Sequence, residues 1–581
     1  MPTLFPSAAG SRLPRAVLVA RTIWAPMSSD LELGLRPQPS RLSRYFALVP
    51  RFVFYALLFV WLYWSRDHPH QLVIAYLCLA ALSWKYWIKV HPIVRTVAIG
   101  IAGALAVFTV SGYISAIVFY LLYPNYFEHG QPIVASISWL WMHGHELYPN
   151  WATGDVYGLV YGPLIFLMNG IALQWSPSIF ASKLPGVLSF GVASAVTFML
   201  FTRKTASSVA SLFLLASLAL LCGLGDEVTY WNRPEPFLTL VSVLSLFLAL
   251  RSSPWVAVIS VGVLAGLAVG FKLHGFIYTL PAGAVALARV ETLRGRLVAG
   301  IIGGACAVLS AILPYLEKGV SITGYLRFLG LAFANGWSAD PFTDTLLIAF
   351  VLAVPIVGIW IWWKPALNTP DRWLLAALAL SLAMITVIGG KKGGGAYYLL
   401  PLIPLCMYGI AVVCASSKIE AKGITAFVFV SFLLAYGPHL ILYIRDLGYG
   451  YQVAARLQRD KIAELKTFLD TYPDAQIGIS DDAHYSSYFY RVLPVFNGRP
   501  LHIDFTVWMD LAYAGVDERY IVRFIKGCSI PTWILPLGRP FTQVNWYNGL
   551  PLVSESFRQT FLMNYRKIEN GEAYQVWQCK S

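Results

Sequence analysis

The feature of this sequence that most restricts its fold is a series of apolar runs, which recur from about residue 45 to residue 443. Each run is about 20 residues long, which is the length that an α-helix needs to cross a bilayer. The composition agrees, because 57% of the 581 residues are hydrophobic and only 12% are charged, whereas about 25% of a soluble domain is charged. We therefore predict a polytopic α-helical membrane protein of about 13 spans.

Length and hydropathy place candidate spans at 46–64, 71–88, 96–122, 157–175, 179–200, 206–224, 236–251, 255–270, 276–289, 297–316, 345–363, 373–390, 398–415 and 423–443. Lys and Arg concentrate in alternate short loops, which the positive-inside rule assigns to the cytoplasm. The remaining loops are expected outside, at 123–156, 225–235, 272–275, 317–344 and 391–397. If 157–175 and 179–200 both crossed the membrane, Arg203 and Lys204, which follow them, would also lie outside. One of these two segments is therefore expected to be re-entrant or interfacial.

Composition divides the chain into four parts. They are a cytoplasmic N-terminal tail (1–45), an additional transmembrane hairpin (46–95), a transmembrane core (96–444) and an extracytoplasmic α/β domain (445–581). The sequence leaves open whether Met1 or Met27 is the start. The net charge of +14 is explained by basic cytoplasmic loops. Because no basic stripe lies on a soluble surface, we do not expect a nucleic-acid partner.

The C-terminal part has the patterns of a small α/β domain. "VAARLQRDKIAELKTFLDTY" has helical apolar spacing, and "QIGIS", "TWILP" and "QTFLMNY" are predicted to be short strands. "YRKIENGEAYQVWQCK" is predicted to be a hairpin that turns at Asn570 and Gly571. Cys528 and Cys579 are the only cysteines after Arg445. A disulfide between them and two unpaired thiols both remain open.

Two outer loops carry acidic residues where a lipid headgroup would lie. The first contains Phe127-Glu128-His129, and the second, "GLGDEVTYWNRPEPFL", contains Asp226, Glu227, Arg233 and Glu235. Each acid taken alone can be a solvated loop charge. Their shared side of the membrane favours a common site instead.

Four basic side chains are expected on the same side. Lys272 and His274 interrupt an apolar run, and a charge at a span centre costs about 2.5–3.5 kcal/mol on insertion scales, so it is normally placed near an interface or a polar cavity. Lys391 and Lys392 precede three glycines, a pattern that suits close approach to a phosphate. The alternatives are a lysine that extends to the interface from a span end and a flexible basic loop.

A carboxylate that can accept a proton, beside cations that can hold a phosphate, indicates transfer of a sugar from a lipid phosphate to a hydroxyl. The carboxylate would act as general base. The lysines and Arg233 would stabilise the phosphate oxygens as the sugar–phosphate bond breaks. A nucleotide donor is not expected, because nucleotide pools are cytoplasmic.

The order of these motifs resembles that of the GT-C glycosyltransferases. A first outer loop with an acid is followed by "YGPL", the second acidic loop, "GLAVGFKLHG" and "YYLLPLIP". Similar enzymes are the protein O-mannosyltransferases and the lipid A aminoarabinose transferases, and the resemblance covers about 96–415. It implies a polyprenyl-phosphate sugar donor, a glycan, lipid or protein acceptor, and no cofactor. It also implies a multi-pass protein of the bacterial inner membrane whose active site faces the periplasm.

The resemblance also implies roles for individual residues. Glu128 matches the first-loop acid, and the second catalytic acid is one of Asp226, Glu227 and Glu235, of which Glu235 is favoured. The substrate-binding candidates are His129, Asp155, Tyr161, Glu227, Arg233, Lys272, His274, Lys391, Lys392, Tyr397 and Tyr398. Many relatives have an Asp-Glu pair where this chain has Glu128-His129. No metal is expected, although His143, His145 and Glu146 could suggest one.

Two other functions are compatible with many spans. A transporter or flippase also carries charges within the membrane, but transporters often show internal repeats and broken helices at the midplane. This sequence shows no repeat, and its charges gather in the outer loops. A non-catalytic membrane subunit is the third possibility.

Overall fold

The computed structural model describes residues 91–223, 228–417, 420–480 and 487–580. Within these ranges the chain forms a helical bundle followed by a small α/β domain. The N-terminal tail and the predicted spans 46–64 and 71–88 lie outside the described residues, as do Asp226 and Glu227.

The bundle consists of α-helices joined by short 3₁₀ segments. Its first half contains α1 (Pro92–Leu122), α2 (Gly130–Met142), α3 (Pro163–Trp175), α4 (Ile179–Thr205), α5 (Ser208–Gly223), α6 (Pro234–Arg251) and α7 (Pro254–Phe271). Its second half contains α8 (Leu280–Ala288), α9 (Leu293–Ile312), α10 (Ile322–Ala334), α11 (Ala339–Trp363), α12 (Thr369–Gly389), α13 (Ile403–Ala415) and α14 (Ala421–Thr471). The 3₁₀ segments are Val228–Tyr230, Leu273–Thr279, Leu313–Leu316 and Ala396–Leu402.

Eight helices of the described residues are long and apolar enough to cross a membrane. They are α1, α4, α6, α7, Leu293–Leu316, Ala339–Ile361, α12 and Ala396–Ala415. Shorter apolar helices occur at α3, α5, Leu273–Ala288, α10 and Ala421–Leu434. The polytopic helical membrane architecture is therefore confirmed, whereas the predicted count of about 13 spans is not.

The two predicted spans 157–175 and 179–200, of which only one was expected to cross, correspond to helices of different length, α3 and α4. Helix α3 has 13 residues and is about 20 Å long, which is shorter than the hydrocarbon core of about 30 Å. Helix α4 has 27 residues. Lys183, near its start, donates to the carbonyl of Tyr120 at the end of α1. Helix α4 therefore returns along the bundle antiparallel to α1, as the expected single crossing of this pair requires.

Two basic residues of loops assigned to the cytoplasm, Arg95 and Lys204, lie at the other end of the bundle. Arg95, at the start of α1, forms an ion pair of 2.7 Å with Glu420. Lys204, at the end of α4, forms one of 2.8 Å with Asp371 at the start of α12. These pairs join helix ends that lie opposite the loop between α1 and α2. The compartment that each end faces stays a prediction.

One predicted loop contains a helix. The segment 317–344 was expected to be a loop, but α10 forms within it. Ser321 caps this helix by accepting a hydrogen bond from the backbone N–H of Gly324. Its 13 residues are too few to span a bilayer, so its sequence lacks the long apolar run of a membrane span.

Helix α14 continues without interruption from the bundle into the C-terminal domain. It has 51 residues, which correspond to a length of about 75 Å. The predicted span 423–443 and the predicted domain helix in "VAARLQRDKIAELKTFLDTY" are thus parts of one element.

The domain contains a four-stranded sheet in the order β1-β2-β4-β3. Its strands are β1 (Ala475–Ile477), β2 (Thr532–Pro536), β3 (Tyr565–Asn570) and β4 (Tyr574–Cys579), and its helices after α14 are α15 (Val492–Phe496), α16 (Phe505–Tyr513), α17 (Arg519–Lys526) and α18 (Glu555–Asn564), with a 3₁₀ segment at Tyr488–Arg491. Strands β1 and β2 are parallel, and β4 pairs antiparallel with both β2 and β3. The predicted strand in "TWILP" and the terminal hairpin are confirmed.

The predicted strand in "QTFLMNY" is wrong, because most of this segment lies in α18. Phe557, Thr560 and Phe561 are the buried residues of that helix. They follow the i, i+3, i+4 spacing of a helix face rather than the alternation of a strand.

The two C-terminal cysteines form a disulfide, with their Cα atoms 6.0 Å apart. The bond joins Cys528, which follows α17, to Cys579 at the end of β4. Of the two alternatives that the sequence leaves open, the structure contains the bridge.

Candidate active site

The loop between α1 and α2 is held in place by a buried lysine. Lys183, whose side chain is fully buried, donates from Nζ to the carbonyls of Tyr120, Tyr123 and Asn125 at 2.7–2.8 Å. These carbonyls lie at and just after the end of α1, where a helix leaves its last C=O groups without partners. The ammonium group therefore fixes the path of the chain just before Glu128.

Glu128 lies at the beginning of α2 and contacts two basic side chains. Its Oε2 accepts a hydrogen bond of 2.9 Å from the N–H of Gly130, where the positive end of the helix dipole favours a carboxylate. Its Oε1 lies 2.6 Å from Nδ1 of His129, and its Oε2 lies 3.4 Å from Nη1 of Arg233. Burial alone would raise the pKa of Glu128, but His129 and Arg233 outweigh it and lower the pKa to about 2. The carboxylate is therefore ionised at neutral pH.

Arg233 connects the two acidic loops. It precedes Pro234, which occupies the first turn of α6, and Glu235 follows in the same turn. The Nε atom of Arg233 lies 3.6 Å from Oε2 of Glu235, and Nη2 donates to the hydroxyl of Tyr161 at 3.0 Å. Burial would lower the pKa of Arg233, but Tyr161, Glu128 and Glu235 raise it well above its ordinary value. The guanidinium therefore stays charged between the two carboxylates.

The motif "YGPL" places Tyr161 in this cluster. The N–H of Gly162 donates to the carbonyl of Phe271, 3.0 Å away. A Cβ atom at position 162 would lie well inside van der Waals contact with the carbonyl oxygen of Gly270. Pro163 then begins α3, where its fixed φ is favourable. The glycine therefore lets the start of α3 approach the end of α7, which carries Lys272 next to Phe271.

Lys272 lies where α7 ends. Its backbone is extended (φ −148°, ψ 138°) and it caps the helix before the 3₁₀ segment begins. Its side chain is only 7% exposed and lies 2.6 Å from Oε1 of Glu235, which is 1% exposed. The Nζ atom also lies 4.2 Å from the ring centroid of Tyr398, close enough for a cation–π interaction. Lys272 is thus directed into the protein and does not extend along the lipid surface.

The stretch 391–398 has contacts with both parts of the protein. Tyr397 lies 5.1 Å below the guanidinium of Arg233, so its ring forms one wall of the cluster. Lys392 points the other way and donates to the hydroxyl of Tyr513 in the C-terminal domain at 2.8 Å. Gly393 has a φ of +80° and packs beside Tyr547 of the same domain. This basic loop is therefore ordered by contacts with the domain.

The C-terminal domain reaches the first loop at His129. The ring of Trp546 has its centroid 4.4 Å from that of His129, and Nη2 of Arg491 donates to the carbonyl of His129 at 3.5 Å. Arg491 is itself held by Asp504, 2.7 Å away, and both side chains are fully buried. No local pattern predicts these contacts, because they join residues more than 350 positions apart.

Neither a protein-family model nor a curated protein matches this sequence. Solved structures do match its fold. The crystal structure of ArnT from Cupriavidus metallidurans bound to undecaprenyl phosphate matches with a TM-score of 0.50 and 14% identity, over 82% of this chain and 98% of that chain. The apo structure of the same protein gives a TM-score of 0.50 and 14% identity over 82% and 97%.

The fold is ArnT-like. The resemblance to the lipid A aminoarabinose transferases, which have the GT-C fold, is thus confirmed for the architecture. At 14% identity the likeness shows the fold alone.

The ArnT-like bundle brings most of the predicted residues together. The cluster consists of Glu128, His129, Tyr161, Arg233, Glu235, Lys272, Tyr397 and Tyr398. His274 lies at its margin, with its ring centroid 5.0 Å from that of Tyr398. Asp155 lies elsewhere, at the junction with the C-terminal domain, where Oδ1 is 2.7 Å from Nδ1 of His502.

The cluster combines two cations with two carboxylates in a largely buried setting. An anion that binds there can replace a carboxylate as the partner of Arg233 or Lys272. Aromatic rings surround the cations and limit the access of water, which strengthens electrostatic interactions. The arrangement can thus hold a phosphate beside an ionised carboxylate.

Proposed function

We propose that this protein is a membrane glycosyltransferase that moves a sugar from a polyprenyl-phosphate donor to a hydroxyl acceptor at the outer face of the membrane. The observation that carries the proposal is the continuous series of contacts Lys272–Glu235–Arg233–Glu128 at one end of an ArnT-like bundle. The series joins phosphate-binding cations to a carboxylate that can take a proton.

Arg233 and Lys272 are the proposed ligands of the donor phosphate. The ArnT structure was determined with undecaprenyl phosphate bound, which supports the same class of donor here. A guanidinium provides two parallel N–H groups for phosphate oxygens, and the ammonium adds a point charge. Both groups would stabilise the negative charge that develops on the leaving phosphate.

Glu128 is the proposed general base. The bond between the anomeric carbon and the phosphate oxygen breaks, and its electron pair stays on the lipid phosphate. The acceptor oxygen forms the new bond to the anomeric carbon, and its proton passes to the Glu128 carboxylate. The products are the glycosylated acceptor, the lipid phosphate and a protonated Glu128, which then releases its proton to water.

The low pKa of Glu128 is compatible with this role. A carboxyl with a pKa of about 2 is a weak base toward a neutral hydroxyl. As the new bond forms, however, the acceptor oxygen gains positive charge, and its proton becomes far more acidic than the carboxyl. A donor phosphate that attracts Arg233 would in addition weaken the contact that lowers this pKa.

Glu235 has a different proposed role. It is almost fully buried and is bound to Lys272, so it does not face an incoming hydroxyl. We assign it the positioning of Lys272 and Arg233, which share its two oxygens.

The site is proposed to face the periplasm of a bacterial inner membrane. The ion pairs of residues assigned to the cytoplasm lie at the opposite end of the bundle, which supports this orientation through the positive-inside rule. The acceptor is a glycan, a lipid or a protein.

The function can be tested with protein purified into lipid nanodiscs and incubated with radiolabelled undecaprenyl-phosphate sugars. Glu128→Gln retains size and hydrogen bonding but cannot take the proton, so we expect release of lipid phosphate to fall by roughly 10²–10⁴-fold. Glu420→Gln is the matched control, because Glu420 lies at the far end of the bundle and its loss should leave turnover unchanged.

Two outcomes would count against the proposal. Normal turnover by Glu128→Gln would remove Glu128 from the mechanism. Movement of the intact donor across proteoliposome membranes, without release of lipid phosphate, would support a flippase instead.

A further inference from the structure

The loop between β2 and α18 presents an aromatic side chain next to the proposed base. Trp546 belongs to this loop, is 41% exposed and lies against His129 with the ring centroids 4.4 Å apart. His129 in turn contacts Glu128. A single side chain therefore separates the ring of Trp546 from the carboxylate.

Two polar side chains of the same domain lie close by. The hydroxyl of Tyr547 donates to Oδ1 of Asp510 at 2.8 Å. Burial raises the pKa of Asp510, and the hydrogen bond from Tyr547 and, to a smaller extent, the charges of His129 and Lys391 oppose this effect. Tyr547 directly follows Trp546 in the chain and lies beside Gly393 of the basic loop, so one hydrogen bond joins the Asp510 carboxyl to both.

The loop is fixed before any ligand arrives. Asn545 is buried and donates from Nδ2 to the carbonyl of Met509 in α16. Its Oδ1 accepts from the N–H of Tyr547. The residues on either side of Trp546 are thus anchored to the helix that carries Asp510. A preorganised surface loses less entropy on binding.

The two oxygens of Glu128 point toward different parts of the site, one toward the cations and one toward the side chains of Trp546, Asp510 and Tyr547. Oε2 faces Arg233, and Oε1 faces His129 and, beyond it, Trp546. A phosphate held by Arg233 would approach from one side of the carboxylate. The group on the C-terminal domain is located on the other side, where an acceptor hydroxyl must arrive.

We propose that Trp546, Asp510 and Tyr547 form an acceptor subsite that binds a sugar ring. The C–H face of a sugar packs well on an indole ring, which offers a large rigid apolar surface. Carboxylate and hydroxyl groups at its edge can hydrogen-bond the hydroxyls of the sugar. The acceptor is therefore a carbohydrate or glycolipid rather than an unmodified peptide. This inference rests on the proposed function for the direction of transfer.

Binding of a sugar can be tested separately from turnover. The probes are a neutral oligosaccharide, the water-soluble phosphorylated glucosamine disaccharide of lipid A, and a Ser/Thr-rich peptide. Binding is measured by saturation-transfer-difference NMR on nanodisc-embedded Glu128→Gln protein. We expect at least one saccharide to bind and the peptide not to bind. Adding Trp546→Ala should weaken saccharide binding by about tenfold or more, which corresponds to about 1.4 kcal/mol.

Leu550→Ala is the matched control. Leu550 lies in the same loop and is 60% exposed, so its truncation tests for a general loosening of the loop. It should leave saccharide binding unchanged. Tyr547→Phe removes one hydrogen-bonding group and keeps the ring, and we expect a smaller loss of affinity than for Trp546→Ala.

A turnover assay distinguishes an acceptor sugar from the sugar of the donor. In protein that retains Glu128, Trp546→Ala should raise the KM for the acceptor about tenfold and leave the KM for the undecaprenyl-phosphate sugar unchanged. An equal rise in the donor KM would overturn the acceptor assignment. Absence of saccharide binding, or equal binding by Trp546→Ala, would overturn the subsite itself. Saccharide binding without any donor turnover would refute the proposed glycosyltransferase and leave the sugar site standing.

Discussion

Arg233 is the residue on which the electrostatics of the proposed site depend. It contacts both carboxylates and a tyrosine, so any change in its partners affects them all. Together with His129 it lowers the pKa of Glu128, and a bound phosphate that attracts the guanidinium would weaken its share of that effect. Binding of the donor and basicity of the proposed base are therefore linked through one side chain.

Replacing Arg233 should change the pH dependence of transfer. His129 and Arg233 together lower the pKa of Glu128 to about 2, so Arg233→Gln, which removes one of the two charges, should raise that pKa. The carboxylate would then become protonated at a higher pH, and the acid limb of kcat/KM should move upward. The stability that the ionised carboxylate contributes is present at neutral pH and is lost as pH falls from about 4.5 through about 2.

Lys272→Gln is the control for this experiment. Lys272 contacts Glu235 rather than Glu128, so this variant should lose activity without a shift of the acid limb. An acid limb that stays in place in Arg233→Gln would contradict the assignment of Glu128 as the titrating base.

Lys183 should be required for stability. Lys183→Met keeps the length of the side chain but leaves three carbonyls of the first loop without their donor. We expect the free energy of unfolding to fall by about 2–4 kcal/mol, because buried groups that lose hydrogen bonds are costly. Thermal unfolding in detergent would measure this effect. Lys422→Met, at a half-exposed lysine, should have little effect, and equal midpoints for the two variants would refute the role of Lys183.

At the scale of single elements, the site depends on where helices begin and end. The starts of α2, α3 and α6 and the end of α7 provide Glu128, Tyr161, Arg233 and Lys272, respectively, or lie next to them. Helix ends leave polar backbone groups without partners, and here they meet charged side chains. The close approach of α3 to α7 at Gly162 is what allows this convergence.

Gly162→Ala should therefore disrupt the site. The new Cβ would collide with the carbonyl of Gly270, and the start of α3 would have to move away from Lys272. We expect the free energy of unfolding to fall by about 1–3 kcal/mol and the release of lipid phosphate from the donor to become slower. Gly300→Ala in α9 is the control, because its Cβ would meet nothing within 4 Å. Normal unfolding and turnover in Gly162→Ala would show that the contact is not needed.

The sequence predicts the parts of this architecture that depend on local patterns. Apolar runs predicted α1, α4 and α12. The charged residues between and within these runs predicted that Glu128, Arg233 and Lys272 belong to one site. It failed where packing over long distances decides the outcome. Helix α10 is too short to show the apolar pattern of a span. The second part of α14 is polar, so the sequence predicts two separate helices there. Trp546 reaches His129 only because the C-terminal domain packs on the bundle.

At the scale of the whole molecule, the two ends of the bundle have different chemistry. Simple ion pairs such as Arg95–Glu420 and Lys204–Asp371 close one end. The other end carries the cluster and the C-terminal domain. The domain is joined to the loop between α2 and α3 at several points. Asp155 contacts His502, and Arg523 donates hydrogen bonds to the carbonyls of Trp151 and Ala152.

Reporter fusions should assign the two ends to opposite compartments. Three fusions are expected to report the cytoplasm, after Arg203, Arg251 and Arg296, and three the outside, after Gln131, Glu235 and Lys392. The expectation follows from the positive-inside rule and from the shared end of the bundle. Opposite results for the Gln131 and Glu235 fusions would rule out a single site built from both loops.

The uninterrupted course of α14 has a mechanical consequence. A helix advances about 1.5 Å and turns about 100° for each residue, so one residue inserted near the middle of α14 would twist the C-terminal domain by that angle. Such a twist would carry Trp546 around the axis and away from His129. Seven inserted residues, close to two full turns, would restore the angle but lift the domain by about 10 Å. The number of residues in α14 therefore sets both the distance and the rotation between the bundle and the C-terminal domain, and with them the contact of Trp546 with His129.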